Sequence, residues 1–251
     1  MTMTAGTSSA DDVSRIDGVP QLDDAALWAT VVGQGPAVAL LRQAANQPVH
    51  AYLLVGPPGA GRTEAARAFA GTLFAGSGPA EDGSTGEDLE GQRHRGLAAI
   101  GQHPDLVLVQ PEGRSLLVAD AERITVEGWR SPIEADRKVI VVDRFDTAEP
   151  AAASSLLKTI EEPPTSVVFV LLAEEVPDEH VTIASRCVRV DLPPVPDQVV
   201  ADALVAEGVA ADRADELATA SAGSVARARL LAVDPAFLGR RDAWHSVPER
   251  I

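Results

Sequence analysis

Residues 50–63 read HAYLLVGPPGAGRT. AYLLV is a short apolar run that stops at a Gly-Pro-Pro-Gly turn signal, which predicts a buried strand. EAARAFAGTLFA, residues 64–75, mixes small and apolar residues without a breaker and predicts a helix. Between them, Gly56-Pro57-Pro58-Gly59-Ala60-Gly61-Arg62-Thr63 keeps the spacing of a phosphate-binding loop: Gly, four residues, Gly, a basic residue, then Ser or Thr. Glycines let the backbone curl until successive N–H groups aim at phosphate oxygens, and the following helix adds the partial positive charge of its N-terminus. The alternative is a plain glycine-rich strand-to-helix turn. A strand before, a helix after and the complete spacing favour the phosphate loop.

Outward from the loop, strands and helices alternate. DLVLV (105–109) predicts a strand, residues 116–118 a short extended piece, and residues 120–129 a helix with Asp120 as N-cap. KVIVVD (138–143) and VVFVLLA (167–173) are continuous, largely β-branched runs, as in strands buried on both faces of a parallel sheet. In AEPAAASSLLKTIEEPP (148–164), Pro150 suits a first helical turn, Leu156, Leu157 and Ile160 form an apolar stripe, and Pro163-Pro164 ends the helix. A short helix at 178–184 and a strand at 187–191 complete an α/β module, residues 26–193, with a parallel sheet flanked by helices. Beyond the proline-rich stretch 193–196 the β signal vanishes. Helices at 196–207, 211–221 and 223–232 predict a small helical lid domain, 194–235. Residues 1–25 read as a disordered leader, 76–91 as a flexible insertion too polar to pack, and 236–251 as a polar tail.

Composition narrows the function. Of 251 residues 45% are hydrophobic but only 4% aromatic, so the core is aliphatic and platforms for stacking bases are poorly supplied. Trp28, Trp129 and Trp244 have no spacing that suggests one. The formal net charge of −16 opposes DNA binding through the overall field, so a DNA contact would be local or made by partners. The single cysteine, Cys187, excludes an internal disulfide and a multi-thiolate zinc site, and points to a reducing, cytoplasmic compartment. It reads as a small packed residue rather than a nucleophile. No membrane span or export signal is apparent. His50 and His103 each stand without metal-ligand neighbours in sequence, which assigns them structural roles and predicts no metal site.

HAYLLVGPPGAGRT, HPDL (103–106), VIVVD (139–143), SSLLKTIEEPP (154–164) and SRC (185–187), in this order over residues 31–232, resemble the clamp-loader branch of AAA+ proteins, and within it the delta-prime family of DNA polymerase III. The phosphate loop alone is weak evidence for that branch; LLKTIEEPP followed by SRC is strong. The resemblance implies a P-loop AAA+ fold and an assembly with gamma/tau and delta subunits that opens the sliding clamp and sets it on primer-template DNA. It also implies that Arg186, the Arg of SRC, is an arginine finger serving a neighbouring subunit's nucleotide site. The alternative for Arg186 is an ordinary surface salt bridge.

Several residues depart from the family pattern. Arg62 stands where Lys is expected; a planar guanidinium does not replace a compact ammonium under the phosphates, so Gly56, Gly59, Gly61, Arg62 and Thr63 are expected to form a degenerate nucleotide site. Asp143 is suited to hold magnesium at the strand end, or merely to cap it, while the next residue, normally the Glu that polarises the attacking water, is Arg144, which cannot act as a base. The four-cysteine zinc module of many relatives is missing, so no zinc is expected. In the nucleotide-sensing helix, Ala226 occupies the usual Arg position, with Arg227 one step later. The helical collar domain of full-length relatives is not in these 251 residues, which implies a truncated form or assembly through other contacts. Adjacent Glu161 and Glu162 point ~100° apart on a helix and cannot converge on one atom, so they read as a helix end and a candidate interface. ATP with magnesium is thus an expected absence or a weak ligand. The competing functions are an active ATPase using Arg62, Thr63 and Asp143, and a stand-alone interaction module.

Overall fold

A computed structural model describes residues 18–76 and 89–234. Five strands, β1 (Ala51–Val55), β2 (Leu106–Val109), β3 (Lys138–Val142), β4 (Val167–Ala173) and β5 (Val188–Asp191), form one parallel sheet in the order β2-β3-β4-β1-β5. The apolar runs explain their central position: every residue of β1, β3 and β4 is buried. Register pairs Leu53 with Leu171 on one side and Arg189 on the other, and Ile140 with Phe169.

Alternation along each strand feeds two cores. Tyr52, Leu54, Val139, Val141, Val168 and Val170 face a layer built by α1 (Asp24–Ala29), α2 (Gly35–Asn46), α3 (Arg62–Phe74) and α4 (Leu89–Ala99). Leu53, Ile140, Val142, Phe169 and Leu171 face α5 (Val118–Gly128), α6 (Pro150–Glu161) and α7 (Val181–Ala184). Each fully buried Leu or Phe among them contributes about 1.5–3 kcal/mol of hydrophobic stabilisation. Beyond β5, α8 (Asp197–Ala206), α9 (Ala211–Ser221) and α10 (Val225–Ala232) pack around their own apolar cluster, which includes Val200, Leu204, Leu217 and Ala228.

Several sequence expectations are corrected. Of the leader expected over 1–25, residues 1–17 lie outside the described residues and 18–25 are structured: the Asp23 carboxylate caps α1 at Ala26 N, and Leu22 N donates to Gln92 O. Gly96 of α4 permits that approach, since a Cβ there would stand 1.6 Å from Pro20 O. The expected insertion at 76–91 lies outside the described residues at 77–88, but residues 89–91 already belong to α4, a helix not predicted. Asp120 is not the N-cap of α5. Leu117 is, and Asp120, on the third helical residue, accepts from Leu117 N at 3.0 Å. The expected tail at 236–251 lies outside the described residues.

Candidate functional site

Gly56 to Thr63 join the C-terminal end of β1 to α3, and Asp143 follows the C-terminal end of β3, with β4 between them. Gly59 and Gly61 have φ of +78° and +93°, the left-handed region that favours glycine, and Gly61 is the N-cap of α3. Arg62 and Thr63 open that helix, both half-buried. The buried Nη1 of Arg62 meets no hydrogen-bond acceptor among the described residues.

The lid domain closes onto this loop. A Cβ on Gly59 would lie 1.8 Å from Ser224 Oγ, and one on Gly56 2.0 Å from the Leu192 carbonyl oxygen. Ser224 also caps α10, accepting from Arg227 N at 3.1 Å. Gln34, only 2% exposed, donates through Nε2 to Ala60 O at 3.0 Å and to Pro193 O at 2.7 Å, so one amide ties the loop to the connection leading into the lid. Sequence reasoning missed Gln34, since a lone glutamine carries no signal of burial. The cleft between loop and lid is lined by Glu64, Ala226 and Arg229 among others. Arg227 is exposed and does not line it; Arg229, one turn after Ala226, does, but its guanidinium grips Glu207 at 2.6–3.2 Å.

At the strand end, both Asp143 oxygens are engaged: Oδ1 accepts from Arg144 N at 2.9 Å and Oδ2 from Gln110 Nε2 at 3.4 Å. Arg144 adopts φ +50°, and its guanidinium donates to Pro111 O. A permanently protonated group bound to a carbonyl cannot take a proton from water. Arg144 is therefore unsuited to the role of base, while the Asp143 carboxylate keeps lone pairs beyond those its two donors use.

Arg186 lies on the other side of the sheet. It precedes β5, whose first residue pairs with Tyr52 and whose last pairs with Val55, so Arg186 sits at the N-terminal edge while Gly56 sits at the C-terminal edge. At ~3.3 Å per residue the strand alone separates them by about 10 Å. Arg186 Nη2 pairs with Glu161 Oε1 at 2.7 Å, and Nη1 donates to Thr182 O at 2.6 Å and Ser185 Oγ at 3.4 Å. The surface salt bridge considered from sequence is thus present, with the Arg186 side chain 37% exposed. Neighbouring Cys187 donates to Ile183 O, and burial pushes its thiol up to about 12, away from the nucleophilic thiolate.

His103 is not alone. Its Nε2 lies 2.7 Å from His94 Nδ1, with Glu134 close enough to complete a three-ligand set. Asp105 N donates to His103 Nδ1 at 3.0 Å, which fixes the proton of neutral His103 on Nε2, where it donates to His94. A metal at Nε2 would need the opposite tautomer, and that proton would face the Asp105 N–H. The pair is accordingly a buried hydrogen bond, stacked on Phe74 at 4.0 Å, and burial followed by the adjacent His94 lowers His103 to about 4. Asp105 holds the loop after α5 by accepting from Ile133, Glu134 and Ala135 N; burial pushes its pKa up, but these donors outweigh it and leave it lowered. His50 donates structure through its backbone alone, its carbonyl accepting from Phe169 N.

A family model described as DNA polymerase III, delta subunit, matches residues 34–196. DNA polymerase III subunit delta' of Bacillus subtilis is 33% identical over 169 residues, 67% of this chain and 50% of its own length. The subunit delta' of Pseudomonas aeruginosa is 31% identical over 166 residues, 65% and 46% of the two chains. The chain therefore spans about half the length of the curated relatives it matches. DNA polymerase III subunit tau of Bacillus subtilis is 30% identical over 172 residues, 68% of this chain and 30% of its own. Among solved structures, a DNA polymerase III gamma subunit-related protein of Thermotoga maritima superposes with a TM-score of 0.55 at 20% identity, covering 78% of this chain and 58% of that one. A Thermotoga maritima RuvB mutant gives 0.54 at 17% identity, covering 80% and 62%. At such identities these two speak for the fold. Among the described residues no helix is long and apolar enough to cross a membrane.

Proposed function

The chain belongs to the DNA polymerase III delta-subunit family of clamp-loader AAA+ proteins, and from that premise we propose that it is a delta-prime-type subunit that hydrolyses no ATP itself and lends Arg186 to a neighbouring subunit's nucleotide site. The observation that carries this reading is the separation of the two candidate centres. Arg186 stands exposed at the N-terminal edge of the sheet, out of reach of its own phosphate loop at the C-terminal edge, so any phosphate it meets belongs to another chain.

Its own loop supports the non-hydrolysing half. Arg62 replaces the lysine, Arg144 replaces the base and is bonded to a carbonyl, and Ser224 of the lid rests on Gly59. ATP and magnesium are accordingly not assigned to this chain as working cofactors, and no zinc is. In the neighbour's site the Arg186 guanidinium would neutralise charge developing on the transferring phosphoryl group, a contribution of about 10³–10⁵ in rate for such fingers. By family, the partners are gamma/tau, whose ATP drives the cycle, and delta, acting together on the sliding clamp and primer-template DNA in the cytoplasm. A net charge of −16 suits a subunit whose DNA contact is made by its partners.

The test is a reconstituted loader carrying Arg186→Ala. It should assemble normally and lose at least about 10²-fold of the ATPase at the site it faces, as clamp and DNA stimulate it. Unchanged turnover would sink the finger assignment. Micromolar ATP binding with magnesium-dependent turnover by the isolated chain would favour an active ATPase instead.

A further inference from the structure

We propose that Glu161 is a positioning residue for Arg186, holding the guanidinium ready for the neighbouring nucleotide; this rests on the finger reading above. Glu161 is the last residue of α6, where the partial negative charge of the helix C-terminus disfavours a carboxylate. An acidic residue there sits against local electrostatics unless a cation meets it. Arg186 does, at 2.7 Å.

The grip is two-sided. Glu161 takes Nη2 from the end of α6, and the Thr182 carbonyl in α7 takes Nη1 at 2.6 Å, with Ser185 Oγ behind it at 3.4 Å. Two nitrogens pinned from two elements fix the plane of the guanidinium, and its remaining N–H groups stay unassigned by any other contact in the described residues. A free arginine carries rotamer entropy that a finger must give up when it reaches phosphate. Restricting it beforehand shifts that cost out of the reaction step. The two side chains are 37% and 40% exposed, so the pair adds little to folding, and its removal should leave the scaffold intact. The sequence motifs SSLLKTIEEPP and SRC are thereby one mechanical unit, joined across the N-terminal edge of the sheet.

The experiment compares reconstituted loaders carrying Glu161→Gln, Glu161→Asp, Arg186→Ala, or Glu161→Gln with Arg186→Ala, reading kcat and ATP KM of the clamp- and DNA-stimulated ATPase. Glu161→Gln should lower kcat about 3- to 10-fold with KM moved less than about twofold, and Glu161→Asp should recover part of the loss. The double variant should be no slower than Arg186→Ala alone, because Glu161 acts only through Arg186. If Arg186→Ala abolishes stimulation while Glu161→Gln leaves kcat unchanged or raises it, the positioning role is overturned and the finger reading stands. If Arg186→Ala itself changes nothing, both are overturned.

Discussion

The two ends of the central sheet have been used in opposite ways. At the C-terminal edge, charged and polar groups around the loop meet other groups of the same chain: Arg144 on Pro111 O, Asp143 on Arg144 N, Arg229 on Glu207, Ser224 against Gly59. At the N-terminal edge, Arg186 is held by its own chain yet left exposed. On the function proposed above, the phosphate loop is kept for its packing rather than for hydrolysis. The difference has a measurable form: changes at the C-terminal edge should act on stability, and changes at Arg186 on the partner's rate.

The largest stability effect is expected at Gly56. A Cβ there would meet the Leu192 carbonyl oxygen at 2.0 Å, and backbone cannot swing aside as a side chain can. Gly56→Ala should cost about 3 kcal/mol or more, read as a loss of Tm or of urea midpoint. Gly61→Ala is the internal control: nothing lies within 4 Å of its Cβ, and only the positive φ resists, at about 1–2 kcal/mol. Equal costs at the two positions would show that the backbone leaving β5 does not press on the loop.

Second comes the frame behind the loop. His103 stacks on Phe74, the last residue of α3, and is held at about 4 by burial and by His94, with Arg93, Asp105 and Glu134 as the other charges near it. Well above pH 6.5 the imidazole is neutral in both folded and unfolded chains and contributes no pH dependence. As pH falls from 6.5 towards 4 the unfolded chain binds a proton that the folded chain refuses, so stability declines through that window and levels off below it. The loss should be on the order of 2 kcal/mol. In His103→Asn the urea midpoint should start lower at pH 7 and fall less between pH 6.5 and 4; an unchanged slope would remove His103 from the account.

How much of this could be read from sequence follows from the kind of packing involved. β1, β3 and β4 were legible because strands buried on both faces are continuous apolar runs, and the lid helices because their stripes repeat. Helix α4 was not, since its buried residues, Gly91, His94, Gly96, Leu97 and Ala98, include only one large apolar side chain and make no apolar stripe. The phosphate loop was legible as a loop, but its closure was not: Gln34 bridges Ala60 and Pro193, and Ser224 meets Gly59, across long stretches of chain with no local pattern. Likewise the sequence offered Glu161-Glu162 as a helix end and Arg186 as a motif residue, and only the turn of α6 towards α7 brings Glu161 onto Arg186. His94 and His103 are nine residues apart, which is no metal-binding spacing on a helix, and their contact comes from the bend between α4 and β2.

The smallest stability effect is expected where the functional effect is largest. Arg186→Ala removes an exposed ion pair and two hydrogen bonds to groups that water can serve instead, since Thr182 and Ser185 are both exposed. Such a pair contributes about 0–1 kcal/mol, which for a chain of this size displaces Tm by no more than about 4 °C. Glu161, left at the C-terminal end of α6 without its cation, recovers its hydration and keeps the net change near the lower limit. A Tm loss above that range in the isolated chain would mean that Arg186 braces α6 against α7, and that any fall in the loader's ATPase reflects a weakened subunit rather than a missing guanidinium. A Tm within it, beside a large fall in the partner's turnover, would assign the two edges of the sheet to the separate tasks their contacts suggest.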